Sequence, residues 1–564
     1  MDQTAQQPED FLGWPNAQGF ADQEETTVPT PLEIHGRIPS YVNCALYRTG
    51  PGSYTVPLTK KPGGGEFKIY HWFDGFAQHH KFDITAPSAD FPDGKVVYRS
   101  KHAATGLKKR IDDLNGSPNN PSFGYRDPCK NKFQKFFTKF ERSSPDDPST
   151  ANVSVTVNPN FPSSLMSGDS GELLLYAKTD ANVLMQLNKE TLEPEQVSTW
   201  TKLYAESHEH HDSKDEEAAK FAFQNPLDGP LSASHSCFDA GKEFNFTMKF
   251  GRQPTVTLFS IDSTRTFEIY ATVPIERPAY LHSFFLSKSY IVLCLWQADF
   301  TFGGLSFLWN RNTLDSINKT WNPARKTLWY VVPRDGSARS DPSKIKVFES
   351  DPFFAFHTIN TYEQDDDIYL SIAQCDTHSF LYGLALDSIK SDTATSSFLP
   401  DAPYYARWKL PSVSKTGGFT STGKSDPAAR GTAILDARSD KREANIELPT
   451  LNPAVAFKRE HFVYGIGTDG VSSFFDRVLK INTQTMQAIY WTQHGCTPSE
   501  PLFFADPQGE KEDDGVLLTV VLDGFKKQSE LVILDARDLS VVCRAVVPGN
   551  KAVGFGFHGA ISPR

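Results

Sequence analysis

Four histidines of this 564-residue chain lie in closely similar local sequences, although long stretches separate them. They are His235 in LSASHSCFD, His282 in RPAYLHSFFL, His357 in FFAFHTINTYE and His558 in GFGFHGA. Apolar or small residues flank each ring. Neutral imidazoles suit iron, copper or zinc, whereas structural zinc prefers thiolates in a closed tetrahedron. One such histidine is more often structural, but four in the same setting predict one shared metal site, suited to iron that must bind dioxygen.

A second group, His208, His210 and His211, is denser but lies in a polar and acidic run. A preorganised metal site needs rigid supporting elements, and no apolar strand pattern surrounds this run. We therefore predict that this group does not form the metal site.

Histidines that bind a metal usually donate their second ring nitrogen to a carboxylate or a similar acceptor. Three carboxylates in apolar surroundings are candidates: Asp180 in YAKTDANVL, Glu447 in NIELPTLN and Glu500 in CTPSEPLFF. Each of them could instead be a turn residue that accepts hydrogen bonds from nearby backbone N–H groups.

Short strands must position these side chains, because almost every segment reads as an apolar alternation bounded by turn residues. One pattern recurs at 185–192, 258–264, 479–485 and 531–539, where an alternating run ends in Asn or Asp and a hairpin turn follows. Repeated hairpins along a chain of this length predict either an all-β propeller or a large β-sandwich. The local pattern does not decide between the two.

Composition excludes several classes of protein. The net charge of −11 argues against nucleic acid as a partner. The polar, acidic N-terminus does not resemble a secretory signal, and no apolar run approaches the roughly 18 residues of a membrane-spanning helix. The seven cysteines are odd in number and widely spaced, which predicts neither a disulfide framework nor a zinc ribbon. We expect a reducing, cytoplasmic location.

Three further segments stand apart from the strand pattern. Residues 1–35 are polar and are predicted to wrap the outside of the fold, and 411–443 are predicted to form a long mobile loop. Within 126–140, four phenylalanines recur at helical spacing between lysines: Phe133, Phe136, Phe137 and Phe140. Such a stripe suits a helix packed on the core or one lying in a membrane interface.

From Arg48 to the C-terminus the chain resembles the carotenoid cleavage oxygenases. Besides the histidine contexts, the motifs that carry the resemblance are RTGPG (48–52), HWFDGFA (71–77), HKFDI (80–84), INTYE (359–363), IELP (446–449), PSEPLF (498–503) and EDDGVLLTVV (512–521). The resemblance implies a single domain over residues 1–564. That domain would be a seven-bladed propeller with a cap of helices and loops, and Fe(2+) on its axis would be bound by the four histidines.

The same resemblance implies a carboxylate partner for three of the ligands. Asp180 would support His282, Glu447 would support His357, and Glu500 would support His558, whereas His235 would have no such partner. Many members of the family have Glu at the position of Asp180. The shorter side chain leaves open whether Asp180 contacts His282 directly or through a water molecule.

The reaction that the resemblance implies is cleavage of a conjugated C=C bond of a carotenoid by O2, giving two carbonyl products. The chain looks most similar to the fungal branch that cleaves torulene to β-apo-4′-carotenal. Stilbene-cleaving members carry a Lys and a Tyr where this chain has Thr179 and His102, both of them candidate pocket residues. Cleavage of β-carotene or a stilbene, isomerohydrolysis of a retinyl ester, and non-catalytic carotenoid binding are the alternatives.

The segment 126–140 also resembles the part of the family that contacts the membrane. Carotenoids dissolve in lipid rather than in water, so a tunnel mouth that meets a bilayer has a physical purpose. We therefore expect peripheral association with a membrane surface, mediated by this phenylalanine stripe.

Overall fold

The computed structural model describes residues 13–116, 122–124, 147–161, 173–209, 225–310, 312–392 and 401–564. Within these ranges the strands form seven sheets of four to six strands each, together with one two-stranded hairpin. The seven sheets are the blades of a propeller. The prediction of a seven-bladed all-β propeller is therefore confirmed, and the sandwich alternative is excluded.

Strands are numbered in chain order, and each blade is described from its outer edge towards the axis. Blade 1 contains β1 (Thr26–Pro31), β7 (Lys95–His102), β6 (Phe76–Thr85), β3 (Cys44–Ser53) and β35 (His558–Pro563). Blade 2 contains β11 (Pro194–Ser198), β10 (Leu184–Leu187), β9 (Leu174–Lys178) and β8 (Thr156–Phe161). Blade 3 contains β16 (Phe267–Pro274), β15 (Thr255–Ile261), β14 (Lys242–Lys249) and the short β12 (Leu231–Ser232) and β13 (Cys237–Asp239).

The remaining blades follow the same order. Blade 4 contains β24 (Gly431–Thr432), β20 (Lys346–Ser350), β19 (Thr327–Pro333), β18 (Tyr290–Leu295) and β17 (Phe285–Leu286). Blade 5 contains β25 (Ile434–Arg438), β23 (Tyr404–Leu410), β22 (Asp367–Cys375) and β21 (Phe354–Gln364). Blade 6 contains β29 (Ala488–Trp491), β28 (Arg477–Asn482), β27 (Phe462–Gly467) and β26 (Glu447–Thr450). Blade 7 contains β2 (Glu33–Gly36), β34 (Val541–Val546), β33 (Gln528–Asp535), β32 (Gly515–Asp523) and the short β30 (Cys496–Pro498) and β31 (Leu502–Ala505).

Short helices and one hairpin lie between the strands, both within blades and between them. The hairpin is β4 (Thr55–Pro57) with β5 (Glu66–Lys68). The described α-helices are Thr105–Asp113, Trp200–Glu209, Ser306–Asn310, Thr313–Ser316, Ser337–Ser340, Phe380–Gly383 and Leu386–Ile389. The described 3-10 helices are Ala17–Phe20, Trp72–Asp74, Pro148–Thr150, Thr301–Gly304, Pro342–Lys344, Val413–Lys415, Pro427–Ala429 and Pro453–Val455.

The four recurring hairpins predicted from the sequence are those that join β10 to β11, β15 to β16, β28 to β29 and β33 to β34. In each, the Asn or Asp at the end of the first strand accepts hydrogen bonds from backbone N–H groups of the turn, as Asn188 and Asn482 do. A residue with positive φ follows, for example Leu192 and Met486. The short polar side chain thus organises the reversal of the chain, which explains why the pattern predicts the turns.

Both ends of the described chain close the ring. The C-terminal strand β35 pairs with β3 in blade 1, while β1 and β2 add outer strands to blade 1 and blade 7. The glycines of GFGFHGA allow close backbone approach: a Cβ on Gly50 would lie 2.5 Å from the Cα of Gly556. This run therefore lies tightly against another backbone segment, and β35 begins at His558.

Part of 411–443, predicted to be one long loop, has regular structure. It contains two 3-10 helices and the short strands β24 and β25, which form the outer edges of blades 4 and 5. The loop prediction was wrong for these strands. β24 (GT) is too short to show an apolar alternation, and β25 (ILDAR) ends in polar and charged residues, so pairing with a preceding strand defines both.

Candidate metal centre

The four predicted histidines converge on the propeller axis. One ring nitrogen of each lies within 4.8 Å of those of the other three. The Nε2 atom of His558 is 2.9 Å from Nε2 of His235 and 3.1 Å from Nε2 of His357. Three of the rings are buried and His235 is partly exposed. The chain thus brings together side chains that are up to 323 residues apart in the sequence.

All seven blades contribute to this cluster and its carboxylates. His558 begins β35 of blade 1, His235 lies between β12 and β13 of blade 3, His282 precedes β17 of blade 4, and His357 lies on β21 of blade 5. The carboxylates come from the other three blades: Asp180 follows β9 of blade 2, Glu447 begins β26 of blade 6, and Glu500 lies between β30 and β31 of blade 7. Innermost strands converge at the axis of a propeller, so residues distant in sequence meet there.

Each carboxylate contacts the histidine that the family resemblance implies as its partner. Glu500 Oε1 lies 2.7 Å from Nδ1 of His558, and an oxygen of Glu447 contacts Nδ1 of His357. Asp180 Oδ1 lies 2.8 Å from Nδ1 of His282, so the shorter side chain reaches its partner directly. Among the described residues, the ring of His235 contacts the other three imidazoles.

These contacts determine which ring nitrogens are available to a metal. A carboxylate that accepts a hydrogen bond from Nδ1–H leaves the opposite nitrogen, Nε2, without a proton. For His357 and His558 this directs two lone pairs towards each other at 3.1 Å, an arrangement that a cation between them would relieve. The residues present therefore fit a divalent metal that prefers imidazole ligands.

The electrostatic surroundings disfavour the charged form of two of the four histidines. Burial, reinforced by the neighbouring imidazoles, holds the pKa of His235 and of His558 well below its ordinary value. Burial also raises the pKa of Glu500 to about 7, against the opposing charge of Arg48. Neutral imidazole is the form that binds a metal.

An apolar cavity opens directly beside the histidines. His282, His357 and His558 form part of its wall, together with Asp180 and Glu447. Nine aromatic side chains also line it: Trp72, Phe73, Phe123, Tyr280, Phe307, Phe356, Phe380, Phe475 and Phe557. A cavity of this character accommodates an elongated apolar ligand with part of its length next to the metal centre.

Of the two predicted pocket residues, one lines the cavity and the other does not. Thr179 lines the cavity next to Asp180. His102 does not line it: this residue ends β7 in the outer part of blade 1, and its Nε2 atom lies 2.9 Å from the carbonyl oxygen of Gln23. The assignment of His102 to the pocket was wrong, because its strand is separated from the axis by β6, β3 and β35.

Most of the other predicted residues are outside the part of the chain that the structure describes. Phe133, Phe136, Phe137 and Phe140 are not among the described residues, and neither are His210 and His211. His208 is exposed on the helix Trp200–Glu209 and stacks on Tyr204, away from the four histidines.

Sequence reasoning missed several residues that hold the site in place. Tyr280 and Ser234 contact Asp180, and Arg48 donates a hydrogen bond to the carbonyl oxygen of Glu500. Tyr280 stands two residues before His282, a spacing that places both side chains on one face of an extended segment. The sequence could therefore have indicated that Tyr280 lies at the site. Ser234 and Arg48 carry no comparable signal.

No helix among the described residues has the length and apolar character needed to cross a membrane.

Comparison with known proteins agrees with this architecture. The chain matches the family described as retinal pigment epithelial membrane protein (RPE65) over residues 20–562. It is 33% identical to a carotenoid dioxygenase of Neurospora crassa, covering 98% of this chain and 92% of the relative. It is 30% identical to a torulene dioxygenase of Fusarium fujikuroi, covering 98% of this chain and 95% of the relative.

Among solved structures, the fold is similar to that of a cobalt-substituted Synechocystis apocarotenoid oxygenase. The TM-score is 0.68 at 18% identity, and the match covers 99% of each chain. From the match over nearly its whole length, together with the propeller and its central histidines, the chain belongs to the RPE65 and carotenoid oxygenase family.

Proposed function

We propose that this protein is an iron(II)-dependent dioxygenase that cleaves a conjugated C=C bond of a carotenoid or apocarotenoid. The observation that carries the proposal is the position of the four histidines beside an aromatic cavity, with three of them in its wall. A metal centre there would face an apolar ligand rather than bulk water. The two relatives that cleave carotenoids support the choice of substrate class.

His235, His282, His357 and His558 would hold the iron, with Asp180, Glu447 and Glu500 supporting three of them. Ferrous iron at such a site supplies the means of activating dioxygen. Four neutral ligands leave the charge of the metal uncompensated by the ligands themselves, while the carboxylates behind them balance it. The choice of iron over other divalent metals rests on the reaction and on the family.

The side chains of the cavity would bind and orient the polyene. Aromatic rings such as Phe356, Phe475 and Phe557 offer apolar surface, and burial of a long hydrocarbon against them is favourable by about 25 cal/mol per Å². Regiospecificity would follow from the length and shape of the cavity, which determine the double bond that lies beside His282, His357 and His558.

The reaction balances without a reductant. Cleavage of one C=C bond by O2 places one oxygen atom on each of the two carbons and gives two carbonyl products. No proton must be removed from the substrate, so no general base is required. The side chains need only position the double bond and keep water out of the apolar cavity.

Within this class, we propose torulene as the substrate and β-apo-4′-carotenal as the product. The support is the 30% identity with a torulene dioxygenase over nearly the whole chain. Thr179 agrees with a hydrocarbon rather than a phenolic substrate, because it offers no cationic side chain to a phenol where stilbene-cleaving members have Lys.

We also propose that the protein associates peripherally with a lipid bilayer from the cytoplasmic side. Phe302 and Leu305 are 75% and 49% exposed. They belong to a segment that continues into Phe307, which lines the cavity. Apolar side chains exposed next to a lipophilic cavity suit the extraction of a substrate from a membrane. The phenylalanine stripe of 126–140 remains a prediction for the same role.

The direct test is product analysis with labelled oxygen. The purified protein is loaded with Fe(II) and incubated under ¹⁸O2 with torulene, β-carotene, a retinyl ester and resveratrol in separate reactions. We expect torulene to yield β-apo-4′-carotenal that carries ¹⁸O. Conversion of the retinyl ester without ¹⁸O would indicate isomerohydrolysis, cleavage of resveratrol alone would indicate a stilbene oxygenase, and binding without conversion would indicate a carotenoid carrier. Each of these outcomes would overturn the proposal.

A further inference from the structure

The three carboxylates behind the histidines are not equivalent. Two are glutamates, Glu447 and Glu500, and the third, Asp180, is one methylene shorter. All three nevertheless contact the Nδ1 atom of a histidine, and for Asp180 the separation from His282 is 2.8 Å. The groups around each carboxylate show what holds it in this position.

Backbone N–H groups hold the two glutamates. Glu500 Oε2 accepts a hydrogen bond from the N–H of Gly559 at 2.7 Å, and Glu447 Oε2 accepts one from the N–H of Leu448 at 2.8 Å. These donors belong to the main chain, so they are present whatever side chains occupy those positions.

Side-chain hydroxyl groups hold Asp180 instead. Tyr280 donates a hydrogen bond to Oδ2 at 2.7 Å, and Ser234 donates one to Oδ1. Oδ1 is also the atom that faces His282, whose Nδ1 lies 3.0 Å from the hydroxyl oxygen of Tyr280. Both oxygens of the carboxylate are therefore occupied, which leaves Asp180 little freedom to rotate away from the imidazole.

Water is a poor substitute for the tyrosine at this place. Tyr280 is 2% exposed and lines the apolar cavity. Its ring packs against Phe123 with the ring centres 5.3 Å apart and against Phe356 at 6.2 Å. Its main-chain carbonyl accepts a hydrogen bond from the indole N–H of Trp296 at 2.9 Å. The hydroxyl group is thus held at the boundary between hydrocarbon-like surroundings and the carboxylate.

We propose that Tyr280 and Ser234 are positioning residues of the metal site, whose hydroxyl groups hold the short Asp180 carboxylate against His282 and thereby raise the affinity for a divalent metal. The inference rests on the proposed function only in requiring that the four histidines bind a metal. It goes beyond that function because it assigns roles to two residues that are not themselves ligands.

The test compares metal affinity in variants that lose a single hydroxyl group. Tyr280→Phe keeps the ring that packs in the cavity, and Ser234→Ala removes only one oxygen atom. The full-length protein, freed of metal by chelation, is titrated with Co²⁺ under anaerobic conditions against a chromogenic chelator. The visible absorption spectrum of bound Co²⁺ reports ligand geometry in the same titration, independently of any catalytic activity.

Tyr270→Phe is the matched control. The hydroxyl group of Tyr270 donates to Glu268 at 2.9 Å on the outer strand β16 of blade 3, so this variant also removes one tyrosine–carboxylate hydrogen bond. We expect about a tenfold loss of Co²⁺ affinity for Tyr280→Phe and up to about a hundredfold loss for the double variant with Ser234→Ala. The cobalt spectrum should change in both, whereas Tyr270→Phe should match the wild type.

Two results would overturn the inference, and they are distinguishable. If the wild type binds Co²⁺ and both variants bind it equally well with an unchanged spectrum, the positioning role is refuted while the metal site stands. If the wild type itself binds no Co²⁺, both the positioning role and the proposed metal site are refuted.

Discussion

The Nε2 atoms of His235 and His558 lie 2.9 Å apart although 323 residues separate them in the sequence. The two rings belong to blade 3 and blade 1, and no local contact would bring them together. Their proximity follows from closure of the propeller, in which the C-terminal strand completes the first blade. A metal bound by these rings would therefore link the closure of the propeller to the occupancy of its central site.

Loss of one histidine should abolish metal binding. His357→Ala removes an inward nitrogen and leaves Glu447 without its imidazole partner. We expect metal affinity to fall by more than about 100-fold, since changes in supporting residues alone cost about 10–100-fold. Metal content of the purified variant, measured by mass spectrometry, checks this. His208→Ala, which changes an exposed histidine of the acidic cluster, is the control and should retain the wild-type content.

The carboxylates that contact the histidines should also raise the affinity for the metal. Glu447→Gln keeps the shape of the side chain but removes the negative charge behind His357, so we expect about a 10- to 100-fold loss of affinity for Co²⁺ or Fe(II). Glu460→Gln is a matched control, because Glu460 is buried too but accepts hydrogen bonds from Tyr405 and Asn360 away from the histidines. Equal affinities in the two variants would contradict a specific role for Glu447.

The exposed residues of 302–305 should contribute to membrane association. Replacing Phe302 and Leu305 with Ser removes apolar side chains that are 75% and 49% exposed, so the protein should pellet less with phosphatidylcholine liposomes. A second double variant, Phe136→Ser with Phe137→Ser, tests the phenylalanine stripe in the same assay.

Val28→Ser provides the control for nonspecific loss of hydrophobic surface. Val28 is 72% exposed on β1, at the outer edge of blade 1. This variant should pellet like the wild type. If both double variants also pelleted unchanged, the proposal of a lipid-facing surface would be wrong.

Asp476 should make the stability of the protein depend on pH. This residue is 1% exposed, and burial raises its pKa to about 6 from an ordinary value of 3.8. Between these values the folded state binds more protons than the unfolded state, so the free energy of unfolding falls as pH rises from about 4 to about 6. Above pH 6, ionisation of the buried carboxylate lowers the free energy of unfolding by about 3 kcal/mol in total, since one pKa unit corresponds to about 1.4 kcal/mol.

Asp476→Asn removes this ionisation. The difference in unfolding free energy between the variant and the wild type should therefore grow by about 2.4 kcal/mol in favour of the variant from pH 4 to pH 7. Denaturant unfolding at several pH values measures it. A difference that stays constant across this range would show that Asp476 does not change its protonation on unfolding.

Many of the local elements and the four candidate ligands could be predicted from the sequence alone. Alternating runs that end in Asn188 or Asn482 encode their own turns, because the polar side chain bonds to the nearby backbone. The four histidine contexts were recognisable for a similar reason. A ring that must reach a crowded axis needs small or apolar neighbours, and that requirement is visible in the adjacent residues.

The way in which these parts meet is visible only in the folded protein. The direct contact of Asp180 with His282 depends on hydroxyl groups from Tyr280 and Ser234, which belong to other blades than Asp180. His102 was misplaced and β25 was missed because distance from the axis and strand pairing are properties of the assembled sheets. Local sequence specifies conformation through neighbouring atoms, whereas the site is made by contacts between blades that no local pattern records.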